Sequence, residues 1–141
     1  MQVGRQINKI SNYLRRRSQN TQKKIGLTNS QALVLDYIMV SPSPVYQKDI
    51  EKEFNLRSSS ATELICGMEE KGWIEKIESL SDKRLKEIIF KDTNEFIKKS
   101  INDEITQTEK QLTKNISDDD LAIFMRVTNQ MIKNLEENNE R

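Results

Sequence analysis

Residues 47–72 constrain the fold of this chain more than any other segment. The stretch QKDIEKEF has the length of a two-turn helix, and Asn55 follows it where a left-handed residue commonly ends a helix. The next residues, NLRSSSATEL, lead into a second helix that Gly72 is expected to stop. Two helices separated by so short a turn are typical of a helix-turn-helix unit.

The segments on both sides complete a larger pattern. Thr28 and Gln31 have the spacing of a capping box, which predicts a helix over residues 29–40 that the SPSP stretch then ends. After Gly72, WIEKIES and KEIIFK have the isoleucine and aromatic content of strands, and the polar stretch LSDKRL separates them. Residues 28–91 are therefore predicted to form a winged helix-turn-helix, with a recognition helix at about 57–72 and a wing at about 74–91.

The two ends of the chain have apolar residues at helical spacing. Near the start they recur every three or four residues, as on one face of a helix, and this face can pack on its own domain or on a partner chain. The last predicted helix has a heptad pattern, and Ser117 can cap it; Asp92 or Thr93 can cap the helix before it. The face near the start consists of Val3, Ile7, Ile10 and Leu14, and that of the last helix of Leu121, Phe124, Met131 and Leu135.

Composition supports a mainly α fold and excludes several functions. Only four Gly and two Pro occur. Hydrophobic residues make up 35% of the chain and charged residues 32%, a composition that suits amphipathic helices. A single cysteine, Cys66, cannot form an internal disulfide, and the absence of histidine leaves no familiar metal or catalytic cluster. We therefore expect no metal, no cofactor and no enzymatic activity. No signal peptide or long apolar run is recognisable, which predicts a soluble, cytoplasmic protein.

Net charge gives little guidance about partners. The chain carries a formal charge of +1, and this charge is unevenly distributed. Residues 1–27 have seven basic and no acidic side chains, whereas residues 28–91 have nine basic and eleven acidic ones. Nucleic-acid binding would therefore depend on where individual cations lie, because residues 28–91, the predicted reading head, are not basic as a whole.

Four stretches resemble motifs of the MarR family, the multiple-antibiotic-resistance-type transcriptional regulators. LTNSQ is similar to the opening of that family's second helix, DIEKEFNLRSSSATELICGMEEKGWIEK to its recognition block, and SDKRLKEIIFKDTNEF to its wing. The final MIKNLEE is similar to the end of its last helix. The stretches occur in the family's order and span nearly the whole chain.

The resemblance implies a homodimer that binds a pseudo-palindromic operator in double-stranded DNA and is released by a small-molecule effector, more often as a repressor. Residues 1–27 and 92–141 would then be dimerisation helices flanking the reading head, and their two apolar faces would form the dimer interface. An effector pocket between these helices and the reading head would involve Tyr13, Tyr37 and Ile38. The alternative is a winged-helix adaptor or co-regulator that binds proteins and has no specific DNA site.

In the predicted recognition helix, Ala61, Leu64, Ile65 and Met68 share one face, which we expect to be buried. Ser59, Ser60 and Thr62 lie on or beside the opposite face, where short hydroxyls can approach base edges in the major groove. Arg57 and Ser58, at the tip, can reach a phosphate or a guanine. Capping is the competing explanation for the serines: Ser58 can cap alone, or Ser60 can form a capping box with Glu63.

The predicted wing supplies further DNA contacts. Arg84 is expected to enter the minor groove, with Asp82 orienting its guanidinium group. Lys83 and Lys86 would contact phosphates, and Lys48 and Gln47 on the short helix are weaker candidates; a solvated charge cluster is the alternative for the wing. The run at residues 15–17, three arginines, is interpreted as a solvated face that can also approach DNA flanks. Glutamates near Cys66 disfavour a redox-sensing thiolate there.

Overall fold

The computed structural model describes residues 1–91 and 95–139. This part of the chain contains six helices and one two-stranded antiparallel hairpin, which confirms the predicted mainly α fold with a small β-hairpin. The elements are α1 (Val3–Ile25), α2 (Asn29–Val40), α3 (Gln47–Glu53), α4 (Ser58–Glu70), β1 (Ile74–Glu78), β2 (Lys86–Phe90), α5 (Glu95–Thr113) and α6 (Asp118–Asn139).

The chain divides into two compact units. The first, Met1–Thr106, contains α1 to α4, the hairpin and most of α5. The second, Gln107–Arg141, contains the end of α5 and α6. The predicted capping residues of α5, Asp92 and Thr93, lie outside the described residues.

Local sequence signals set the boundaries of α2. The Thr28 hydroxyl accepts from the Gln31 backbone N–H at 3.0 Å, and the Gln31 side-chain oxygen accepts from the Thr28 N–H at 2.9 Å. This is the predicted capping box, and it satisfies two amides that have no partner within the helix. Leu27 and Ala32, on either side of it, are fully buried, so the start of α2 is also anchored in the core.

The turn between α3 and α4 is made by Asn55, which has a φ of 50°. Asparagine adopts this left-handed conformation more readily than most residues. The Leu56 N–H then donates to the Glu51 carbonyl at 2.8 Å, which closes the turn. Beyond it, Ala61, Ile65 and Met68 are fully buried, as the predicted inner face of the recognition helix requires.

The hairpin is joined to the rest of the first unit by backbone hydrogen bonds. Ile74 pairs with Phe90, and the register continues to Glu78 opposite Lys86. On the other edge of β2, the Ile88 N–H donates to the Val45 carbonyl at 2.8 Å. Ile74 and Ile88 are buried, so the base of the wing belongs to the core and only its outer end projects.

Helix α1 has two different halves. Its outer half exposes the predicted apolar residues Val3, Ile7 and Ile10. In its inner half, Arg17 Nη1 lies 2.7 Å from Glu104 Oε1 on α5, and only 4% of the Glu104 side chain is exposed. The interpretation of Arg17 as part of a solvated face is therefore wrong, because a buried carboxylate requires a nearby cation.

Helix α6 starts as predicted and is apolar over a wide arc. The Ser117 hydroxyl accepts from the Asp120 N–H at 3.1 Å, which confirms Ser117 as the capping residue. Along the predicted face, Phe124 and Leu135 are exposed, whereas Leu121 and Met131 are partly buried. Further exposed apolar side chains flank this face at Ile123, Met125, Val127 and Ile132.

Candidate nucleic-acid interface

The N-terminus of α4 presents an exposed polar tip. Arg57 occupies the N-cap position with extended backbone angles and makes no side-chain capping hydrogen bond, and Ser58 is the first helical residue. The hypothesis that Ser58 or Ser60 caps this helix is therefore wrong. The start of α4 is instead fixed by the turn at Asn55 and by the burial of Ala61, whose N–H donates to the Arg57 carbonyl at 2.9 Å.

The side chains of the tip point away from the core. Arg57, Ser58, Ser59 and Ser60 are all exposed, on the first turn of α4. Amide groups in the first turn of a helix have no partner within the helix and favour negatively charged ligands. Short hydroxyls beside such amides suit close approach to a phosphate or to base edges.

Three of the predicted contact residues are joined by hydrogen bonds between α3 and α4. Gln47 Nε2 donates to Thr62 Oγ1 at 2.9 Å and lies 3.4 Å from the Ser58 carbonyl oxygen. Thr62 Oγ1 in turn donates to the same Ser58 carbonyl at 2.8 Å. The two helices of the helix-turn-helix are therefore coupled at the exposed surface as well as through the core. No local pattern indicates this pair, because its members are 15 positions apart.

At the wing, Asp82 holds Arg84 by a two-point hydrogen bond. Arg84 Nε donates to Asp82 Oδ1 and Arg84 Nη2 to Asp82 Oδ2, both at 3.1 Å. The Arg84 backbone N–H also donates to Oδ1 at 3.0 Å. Hydrogen bonds from the Arg84 side chain, and then from its backbone, lower the pKa of Asp82 below its usual value of 3.8. The guanidinium group is thus oriented while 90% of the Arg84 side chain stays exposed.

A chain of hydroxyl groups joins the loop of the wing to Tyr46, the residue before α3. The Tyr46 hydroxyl lies 3.2 Å from Ser79 Oγ, which lies 3.0 Å from Ser81 Oγ. The Ser79 N–H donates to the Leu85 carbonyl at 3.0 Å, and Ser79 is buried. Sequence reasoning missed this role of Tyr46 and Ser79, because their contact depends on how the hairpin folds back onto α3.

A groove of about 570 Å³ lies between α3, the start of α4 and the wing. Ser58 and Gln47 line one side of it and Leu85 another. Four of its lining side chains are cationic: Lys48, Lys76, Arg84 and Lys86. Three of these have acidic neighbours: Asp82 holds Arg84, Lys86 Nζ lies 3.6 Å from Glu78, and Lys76 Nζ lies 4.0 Å from Glu69. The two lysine pairs are single contacts open to solvent and are therefore weak, so these lysines remain able to exchange partners.

The structure therefore brings most of the predicted contact residues into one region. Lys48, Gln47, Ser58, Arg84 and Lys86 share the groove, and Lys83 is exposed on the adjoining loop of the wing. Lys76 was not among the predicted residues. Its position on β1 places it in the groove, but a lone lysine in a short strand carries no signal of that.

The three residues predicted for an effector pocket have different surroundings. Tyr37 packs edge-to-face on Phe54 with ring centroids 5.8 Å apart, and Ile38 is buried in the core. Tyr13 is exposed on α1, where the Arg16 guanidinium carbon lies 4.7 Å from its ring centroid. Within this single chain, Tyr13 lines a shallow groove formed by α1 residues, whereas Ile38 lines a separate groove beside the hairpin.

None of the helices in residues 1–91 and 95–139 has an apolar stretch long enough to cross a membrane. Among the same residues, no group of three or more cysteine or acidic side chains is arranged to hold a metal ion.

Comparison with known proteins agrees with this architecture. The chain is 28% identical over 119 residues to the uncharacterised HTH-type transcriptional regulator YwoH of Bacillus subtilis strain 168, covering 84% of this chain and 85% of the relative. The crystal structure of the transcription regulator MarR from Oenococcus oeni PSU-1 aligns with a TM-score of 0.79 at 26% identity, covering 94% of this chain and 99% of that one.

Another structure with the same fold is an S. aureus MepR–DNA complex, with a TM-score of 0.82 at 17% identity, covering 95% of this chain and 98% of MepR. Residues 25–85, which include α2, α3, α4 and most of the wing, match the model of the MarR family. The motifs, the fold and these matches agree: residues 25–85 match the MarR-family model, and nearly the whole chain is similar in sequence and fold to MarR-type transcription regulators.

Proposed function

We propose that this protein is a homodimeric, sequence-specific DNA-binding regulator that acts as a repressor and is released by a small-molecule effector. One observation carries the DNA-binding part of the proposal: Ser58 of α4, Lys48 of α3 and Arg84 of the wing line the same groove. A helix tip and an arginine-bearing hairpin on one surface suit contact with a major groove and the adjacent minor groove, respectively. The phosphates between the major and minor grooves of the DNA would then face the lysines that line the protein groove, Lys48, Lys76 and Lys86.

Each residue has a role in this proposal. Ser59, Ser60 and Thr62 on α4 contact base edges in the major groove, and Arg57 contacts a phosphate or a guanine at its rim. Arg84 enters the minor groove, oriented by Asp82. Lys48, Lys83 and Lys86 contact phosphates, and Lys76 joins them. The DNA complex of MepR, a protein of the same fold, supports this use of the fold.

Dimerisation is supported by the apolar side chains that the chain leaves exposed at both ends. Val3, Ile7 and Ile10 are exposed on α1, and Phe124 and Leu135 on α6. Apolar patches of this extent are typical of interaction surfaces. In the proposed arrangement, residues 1–27 and 92–141 form the dimer interface, together with Leu14, Leu121 and Met131, and residues 28–91 of each chain form a reading head. A two-fold axis would place two half-sites about 10 to 10.5 base pairs apart.

Release by a small-molecule effector is proposed from the resemblance of this chain to the MarR family. Tyr37 and Ile38 are neighbours on α2, and Tyr13 lies on α1, the helix proposed for dimerisation. A ligand that contacts both helices would couple the dimer interface to the reading head, and these three residues are where we expect it. The ligand is expected to act without a metal or another cofactor.

The DNA-binding proposal can be tested by selecting bound duplexes from a randomised pool, followed by footprinting of the selected site. We expect a pseudo-palindrome protected over two half-sites, with an affinity that falls steeply as salt concentration rises. If no sequence-preferring complex formed at low salt, the adaptor or co-regulator function would replace this proposal. Protection of one isolated half-site would contradict the dimer.

The dimer can be tested independently of DNA by sedimentation velocity. We expect the wild-type protein to sediment as a dimer and the double variant Ile7→Glu with Leu135→Glu to sediment as a monomer, because charges in an apolar interface are costly to bury. Lys133→Glu, on the other side of α6, is the matched control and should remain dimeric. A dimeric double variant would show that these faces lie outside the interface.

A further inference from the structure

We propose that Thr62 reads a thymine in the operator through its methyl group, and that Gln47 is the positioning residue that keeps the Thr62 hydroxyl turned away from the base. This inference rests on the proposed DNA-binding function. It narrows that function from a set of polar side chains near the major groove to one contact with one kind of base.

The hydrogen bonds of Thr62 are the basis of the inference. A hydroxyl group has one proton to donate, and Thr62 Oγ1 donates it to the Ser58 carbonyl oxygen at 2.8 Å. Gln47 Nε2 donates to the same Oγ1 at 2.9 Å, which occupies one of its two lone pairs. The hydroxyl therefore has no proton left for a base or a phosphate unless the bond to Ser58 breaks.

The geometry of threonine then decides which group faces outwards. Oγ1 and the methyl carbon Cγ2 are both attached to Cβ, so holding Oγ1 against the preceding helical turn fixes the position of the methyl group. Thr62 is exposed, and it lies one turn after Ser58 on the outer side of α4. An apolar methyl group is thus the part of Thr62 that is free to meet DNA.

Major-groove chemistry identifies the partner. Thymine is the base that presents an apolar group there, its C5-methyl, and threonine methyl groups are suited to contact it. Guanine presents acceptors, which would need a donor that Thr62 has already used. Cytosine and adenine present amino donors, and the one lone pair left on Oγ1 is held back against the preceding helical turn, whereas the methyl group faces outwards. Thymine is therefore the base that Thr62 fits best.

Gln47 restricts Thr62 from the neighbouring helix. A threonine side chain on a helix has two accessible χ1 rotamers, and they direct the methyl group to different positions. The hydrogen bond from Gln47 Nε2 on α3 favours the rotamer seen here. Without it, the methyl group would spend more time in a second orientation, and the contact with thymine would weaken.

The experiment compares thymine with deoxyuridine, which differs only by lacking the C5-methyl group. A duplex selected by the wild-type protein from a randomised pool is resynthesised with one thymine of each half-site at a time replaced by deoxyuridine, and Kd is measured by fluorescence anisotropy. We expect one position at which the replacement raises Kd by about fourfold, the ratio expected when one methyl group leaves an apolar contact.

Two variants of Thr62 separate the methyl group from the hydroxyl group. Thr62→Val keeps a methyl group in that position and should retain the preference for thymine over deoxyuridine. Thr62→Ser keeps the hydroxyl group and should bind the two duplexes equally. Circular dichroism and the thermal midpoint check that both variants fold.

Gln47→Ala tests the positioning role. We expect the thymine preference at that one position to fall to about half of its wild-type ratio, because both Thr62 rotamers become populated. A merely structural role of Gln47 would change the overall affinity or the thermal midpoint and leave this ratio unchanged. Glu70→Gln, at an exposed residue two turns further along α4, is the matched control and should keep the wild-type ratio at this position.

The outcomes distinguish this inference from the function on which it rests. If the wild-type protein selects no duplex, the proposed DNA binding fails, and the role of Thr62 fails with it. If a duplex is selected but no thymine in it is sensitive to deoxyuridine, DNA binding stands and the methyl contact is overturned. The methyl contact would also be overturned if Thr62→Ser retained the preference for thymine over deoxyuridine, or if Thr62→Val lost it.

Discussion

Helix α4 and the wing hold their proposed DNA-contacting side chains in position in two different ways. The inner face of α4 is fully buried at Ala61, Ile65 and Met68, so its polar tip is carried by the core of the first unit. At the wing, Arg84 is 90% exposed, and the hydrogen bonds that orient it come from Asp82, two residues away. Side chains on α4 are thus positioned by tertiary packing, whereas the key side chain of the wing is positioned locally.

This difference indicates how the two regions should respond to substitution. A change in the inner face of α4 removes packed apolar contacts and should affect the whole fold. A change at the wing tip removes solvent-exposed contacts and should leave the fold intact while altering DNA binding. Stability and affinity can therefore be varied separately in this protein, and the following substitutions test that separation.

The largest effect on stability is expected from Ile65→Ala. This side chain is fully buried, and truncation of such a residue costs about 2 to 5 kcal/mol of unfolding free energy. Denaturant-induced unfolding monitored by circular dichroism measures it. Arg84→Ala is the matched control at the wing, and it should change the unfolding free energy by less than about 0.5 kcal/mol. Similar losses of unfolding free energy in the two variants would contradict the expected difference between α4 and the wing.

The largest effect on DNA affinity is expected from Arg84→Ala. Removing the arginine that is proposed to enter the minor groove should raise Kd by about tenfold or more for specific and nonspecific duplexes, and should reduce the slope of log Kd against log salt by about one. Anisotropy titrations at several salt concentrations measure both quantities. Lys83→Ala should have a smaller effect of the same kind. A selective loss at one major-groove base pair would show that Arg84 reads sequence directly.

A smaller effect is expected from Asp82→Asn. The neutral side chain keeps its size but weakens the hold on Arg84, so we expect Kd to rise by about threefold with an unchanged salt slope. Because hydrogen bonds from Arg84 lower the pKa of Asp82, its carboxylate is ionised in the folded protein above the ordinary value of 3.8. The contribution of this pair is lost only as pH falls through the lowered pKa. Asp82 should therefore cause no change in DNA affinity between pH 5.5 and 8.5, and a step in this range that Asp82→Asn removed would contradict the assignment.

The smallest effect is expected from Ser59→Ala. This exposed residue on the first turn of α4 should influence a single base position, with a loss of about twofold to fivefold there and no change in salt slope or stability. Parallel measurement of every single-base variant of the selected duplex would show it. An equal loss on all duplexes would make Ser59 a phosphate contact.

Features determined by neighbouring residues could be predicted from the sequence, and features determined by distant ones could not. The capping box of Thr28 and Gln31, the left-handed Asn55 and the buried face of α4 were predicted and are confirmed, because each depends on a few adjacent positions. The predicted start of the recognition helix at about residue 57 agrees with α4, whose N-cap is Arg57, but the competing hypothesis that Ser58 or Ser60 caps it was wrong. Serine has a strong preference for capping positions, but the turn before α4 and the burial of Ala61 decide where this helix begins.

The unpredicted parts of the candidate site share one physical cause. The hydrogen bond between Gln47 and Thr62, and the chain from Tyr46 to Ser79, join elements whose relative placement depends on the core. The pair formed by Arg17 and Glu104 spans 87 positions. A charge pattern can indicate that such residues are exposed or helical, but it cannot indicate which partner they meet.

That long-range ion pair anchors α1 to α5. The 14 residues before Arg17, from Val3 to Arg16, extend beyond this anchor as a helix about 21 Å long at 1.5 Å per residue. Because α1 is one continuous helix, a tilt of about 10° would displace its free end by ~4 Å, close to the rise of one base pair. If this helix packs against its counterpart in a second chain, as proposed, the pair formed by Arg17 and Glu104 is one of the contacts that fix the angle at which the two chains meet.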